Sequence, residues 1–111
     1  MSGPHPRVIE SPLEEPHDYL RIEVEFNRNG SIRRFAAQYE TWVEAAGAFL
    51  VVTRYDTAHS GPHQDFYNRE GEQIDKQPLD FPTLEAAAEY AERDLRRFWR
   101  VYKERFLGGR Q

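Results

Sequence analysis

The sequence reads as an α+β fold: an antiparallel meander sheet of four or five strands, packed by one long C-terminal helix. Three observations lead there. Segments between residues 19 and 79 alternate apolar and polar residues with a period of two and are separated by turn residues. The run Ala48 to Thr53 is apolar on both faces, as a central strand is. From Leu84 onward apolar residues recur at steps of three and four.

The first strand begins near Tyr19, where Leu20, Ile22, Val24 and Phe26 alternate with Arg21, Glu23 and Glu25. Asn29-Gly30 follows, a pair that tolerates positive φ and so closes tight hairpins. The second strand spans Ile32 to Tyr39, with Phe35, Ala37 and Tyr39 inward and Arg34, Ala36 and Gln38 outward. Glu40 to Gly47 reads as a connection with a helical turn. The third strand runs from Ala48 to Asp56, with Phe49 and Val51 on one side and Leu50 and Val52 on the other. Gln64 to Asn68 is expected as a fourth strand and Gln73 to Leu79 as a fifth.

Thr83, after Pro82, is a suitable N-cap for the helix, and Gly108-Gly109 suits its end. Its stripe is Leu84, Ala88, Ala91, Leu95, Phe98 and Tyr102, widened by Ala87, Trp99 and Phe106. If part of that stripe stays uncovered, exposed aromatics favour a homodimer. The prolines Pro4, Pro6, Pro12 and Pro16 lack the backbone donor that regular structure uses, so residues 1–16 are expected as a disordered tail and 17–111 as a single domain.

Composition narrows the function classes. There are 15 basic and 19 acidic residues, a net charge of −4, which argues against a surface that grips nucleic acid throughout. No cysteine is present, which excludes disulfides, thiolate chemistry and cysteine zinc sites. No apolar run reaches the roughly 18 residues needed to span a bilayer, so no membrane association is expected, and the reading is cytoplasmic.

The candidate site is R-Y-D-T-A-H-S-G-P-H-Q-D, Arg54 to Asp65. Asp56, His59, His63 and Asp65 lie around one strand-to-strand turn, and hairpin pairing would place Asp56 near Asp65. Three functional readings are open. The cluster Asp56, His59, His63 and Asp65 is a candidate divalent-metal site, the one cofactor considered. His59 and His63 are a candidate acid–base pair, since unperturbed imidazole titrates near pH 6.5; with a phosphodiester on Arg54 that makes a ribonuclease. Or Arg54, Tyr55, Asp56 and Asp65 recognise a substrate or partner. Against all three stands a turn whose polar groups bond their own backbone. Arg96, Arg97 and Arg100 in the second half of the helix suggest an RNA contact, although a helix dipole alone favours bases there.

The run Arg54, Tyr55, Asp56, His59, Pro62, His63 resembles the signature of small bacterial domains of unknown function, some similar to TumE-type toxins of toxin–antitoxin pairs. Asp65 stands where those proteins place a second histidine. The resemblance implies a small α+β protein with a common polar turn. The expectation for function is a non-catalytic module that binds a protein partner or a second copy. The alternative is a toxin-like ribonuclease or metal-dependent phosphodiesterase.

Overall fold

The computed structural model describes residues 7–14, 16–57 and 61–108. Six strands form one sheet: β1 (Arg7–Glu14), β2 (Asp18–Phe26), β3 (Ile32–Val43), β4 (Ala48–Asp56), β5 (His63–Tyr67) and β6 (Gln73–Pro78). Every neighbour is antiparallel, and the spatial order is the chain order, so the sheet is a simple meander. Among the described residues there is one helix, α1 (Leu84–Phe106), which crosses one face and packs chiefly on β3.

Two expectations need correction. The sheet has six strands, not four or five, and the extra one is β1, inside the segment expected as a tail. Only Pro12 of the four prolines falls within β1, and an edge strand leaves one side unpaired, so a missing N–H costs little there. Leu13, at a register shift, packs against the core. Three ionic and polar contacts hold the strand: Arg21 to Glu10 at 2.8 Å, Arg100 to Glu14 at 3.1 Å and Arg96 to Ser11 at 3.4 Å. The connection expected at residues 40–47 is also shorter, because β3 continues to Val43 and only residues 44–47 turn.

Register assigns each strand residue to a face. Leu20, Tyr39, Thr53 and Phe66 stand in one cross-strand row, and Ile22, Ala37, Tyr55 and Gln64 in the next. These point toward α1. At the irregularity between Tyr39 and Glu40, β4 carries one residue more than β3, and consecutive Val52 and Thr53 are both buried. The core joins Leu20, Phe35, Ala37, Tyr39, Val52 and Tyr55 to Ala87, Ala91, Leu95, Trp99 and Phe106 of the helix. Ala87 and Ala91 let the first half of α1 approach closely, while Trp99 meets Tyr39 edge-to-face at 5.7 Å. The Thr83 hydroxyl accepts from Ala86 N–H as the N-cap. Phe98, expected in the stripe, is 41% exposed, because Trp99, about 100° around the helix, occupies the centre of the buried face.

Two buried carboxylates fasten helix to sheet. Asp94 on α1 accepts from the Tyr55 hydroxyl at 2.7 Å and from Tyr102. Asp18 on β2 accepts from Tyr39 at 2.5 Å and Thr41 at 2.8 Å, with the Lys103 ammonium 3.3 Å away. Burial, then the hydrogen bond to Asp94, pushes the Tyr102 phenol up to about 12. Tyr55 and Tyr39 rise further for the same two reasons, with Asp18 the partner of Tyr39.

Candidate functional site on the helix-free face

The residues that alternate with the core set point away from α1. In one cross-strand row Glu23, Ala36, Asp56 and His63 are register partners; in the next stand Arg21, Gln38, Arg54, Asp65 and Lys76. A half-buried, charged face is what period-two strands produce when only one side is covered.

Here the β4–β5 hairpin brings together most of the predicted site. Asp56 faces His63 and Arg54 faces Asp65, so Asp56 and Asp65 are diagonal neighbours on one face. Arg54 Nε lies 3.1 Å from Asp56 Oδ2 as an ion pair without a directional hydrogen bond. His63 is 6% exposed. Its Nδ1 lies 3.0 Å from the Gly61 carbonyl and its Nε2 lies 3.3 Å from Asp65 Oδ2. Both partners are acceptors, so a neutral ring can donate to only one of them. Asp65 Oδ1 is buried with no hydrogen-bond partner among the described residues. Gly61 holds φ of 104°, a turn conformation that suits glycine. Thr57 anchors the other side of the turn, bonding Phe35 N–H at 3.0 Å.

Two predicted residues do not join this group. Tyr55 lies on the opposite face, 1% exposed, and its hydroxyl serves Asp94; alternation along β4 separates it from Arg54 and Asp56. His59 lies outside the described residues. Among the described residues no three His, Asp or Glu side chains are grouped so as to hold a metal ion. The helix arginines are engaged locally: Arg96 with Glu92 at 3.0 Å, Arg100 with Glu14 and over the Trp99 ring at 4.4 Å, Arg97 over the Phe98 ring at 5.2 Å. No helix among the described residues is long and apolar enough to cross a membrane.

The face also carries a feature that the turn motif does not announce. Ala36 is short where its row neighbours Glu23 and Asp56 are long, and a cavity of about 140 Å³ opens there, walled by Glu23, Glu25, Arg34, Arg54 and Asp56. Arg34 pairs with Glu25 at 3.1 Å. Farther along the same face, Tyr19, Trp42 and Phe49 stack edge-to-face, with centroids 5.4 and 5.3 Å from Phe49. A second cavity of about 290 Å³ lies against Tyr19 and Phe49, with Glu10, Arg21 and Glu40 around it. The small Ala36 between the long Arg34 and Gln38 in the outward half of β3 was the available signal.

Fold and site together define a small α+β domain with a helix on one sheet face and a charged, aromatic-ended surface on the other. Residues 6–111 match the family model described as "Domain of unknown function (DUF7718)", and the chain belongs to that family. No curated protein and no solved structure matches the chain.

Proposed function

We propose that the protein is a small non-catalytic binding module, and that the helix-free sheet face is its recognition surface. One observation carries this reading. The cavity on that face is walled by charged groups suited to holding a ligand, while His63 is buried with an acceptor against each ring nitrogen. A general base must reach a substrate proton within hydrogen-bond distance, which a ring so enclosed does not offer. The cavity over Ala36, about 140 Å³, is also below the roughly 300–1,000 Å³ of small-molecule and cofactor pockets, which fits recognition of a side chain.

The alternative, a toxin-like ribonuclease or metal-dependent phosphodiesterase, draws on the His63–Asp65 pair at 3.3 Å, an imidazole oriented by a carboxylate. An RNA cleavage assay with and without Mn²⁺ separates the two. The expected outcome is an intact substrate for both the full chain and His63→Ala. Cleavage that His63→Ala abolishes, at unchanged thermal stability, overturns the binding reading.

A further inference from the structure

We infer that the helix-free face docks an extended, basic segment of a protein partner, with one cationic side chain in each of its two cavities. This rests on the face being a recognition surface and adds the chemistry of what it recognises.

Charge sets the sign. The cavity over Ala36 is walled by three carboxylates (Glu23, Glu25, Asp56) against two guanidiniums (Arg34, Arg54). Both guanidiniums already face carboxylates, Arg34 on Glu25 and Arg54 on Asp56, each at 3.1 Å. Glu23 has no cationic partner within ion-pair distance among the described residues, although it is half-buried. A half-buried carboxylate that lacks a cation gains most from an incoming one. The second cavity has the same bias, with Glu10 and Glu40 against Arg21, and Arg21 is committed to Glu10 at 2.8 Å. Its aromatic walls, Tyr19 and Phe49, suit a guanidinium or ammonium laid over a ring. The chain as a whole carries −4, which steers a basic partner toward it and a polyanion away.

Geometry sets the form. Both cavities lie along β2, one at Glu23 and the other at Tyr19, four residues apart. At the rise of a strand that separation is about 13 Å. Basic residues at positions i and i+4 of an extended peptide have the same separation and point to the same side. A helix would bring such residues within roughly 6 Å of each other, too close to reach both cavities.

The test is a titration of the ¹⁵N-labelled full chain with the peptide Gly-Arg-Thr-Ser-Thr-Arg-Gly, with a control peptide in which glutamine replaces both arginines, and with oligouridylate. Expected are amide shifts around Ala36 and Glu40 with the arginine peptide alone. Affinity should fall about tenfold in Glu23→Gln and in Glu40→Gln, as loss of a charge-assisted contact does. Ala36→Leu, which fills the first cavity, should remove the shifts there and keep those near Phe49. Thermal melts of each variant check that the fold is retained. Equal shifts with both peptides, or none on this face, overturn the inference. Oligouridylate bound here and left intact overturns it too, while leaving the recognition surface standing. Oligouridylate bound here and cleaved overturns both.

Discussion

A buried tyrosine hydroxyl is neutral in the fold because water is excluded and a carboxylate already takes its proton as a hydrogen bond. Tyr55 and Tyr102 share Asp94 in this way, and Tyr39 serves Asp18. The sign of the pH effect follows. A phenol whose folded value lies above its unfolded value near 10 stabilises the fold fully below about pH 10. That contribution is lost as pH rises through the folded value, about 12 for Tyr102. Phenolate absorbance at pH 10.5 should therefore be lower in the native protein than in urea, and the missing part should appear together with loss of the circular dichroism signal. Equal absorbance in both states at that pH would show that these hydroxyls are not held. Asp94 and Asp18 were illegible in the sequence. An aspartate on an amphipathic helix, or just before a strand, looks like any solvated charge until the fold places a tyrosine opposite it.

At the scale of the element, the helix was the most legible part of the chain. Its N-cap at Thr83 stands, and its stripe stands except at Phe98. The periodicity put Phe98 in the stripe and Trp99 at its margin, since each fits an i, i+4 series. Burial decides between them: Trp99 is 5% exposed and Phe98 41%. Trp99→Ala should cost about 3–5 kcal/mol in urea denaturation, and Phe98→Ala less than about 1 kcal/mol. Comparable losses would mean that the helix is rotated from the position described. The strands β2 and β3 were legible from alternation, because each is covered on one face, β4 from its apolar run, and β5 and β6 mainly from the turn residues around them. β1 was not. Proline content argued against it, and its support comes from long-range partners: Arg21 on β2, Arg96 and Arg100 on α1.

For the whole molecule, β1 therefore shields the edge of β2 and occupies Arg96 and Arg100, two of the three arginines that resembled a nucleic-acid patch. A chain beginning at residue 15 should unfold at lower urea concentration and self-associate with rising concentration in size-exclusion chromatography, because an eight-residue partner has left the β2 edge unpaired. A truncated chain as stable and as monodisperse as the full one would show that β1 is dispensable. The candidate site was legible in part for the same reason as the strands. Density of polar residues marked the β4–β5 turn, but side-chain direction depends on register, which separated Tyr55 from its neighbours and matched Asp56 with His63.

That alternation has a consequence for how such a domain can diversify. Along β4 the inward residues Val52 and Tyr55 belong to the core beneath the helix and Thr53 bonds the Asp65 carbonyl of β5, while Arg54 and Asp56 pair with each other on the opposite face. One strand thus carries two independent texts, interleaved letter by letter. A descendant could rewrite the outward letters, and with them its choice of partner, while the inward letters keep the same scaffold folded.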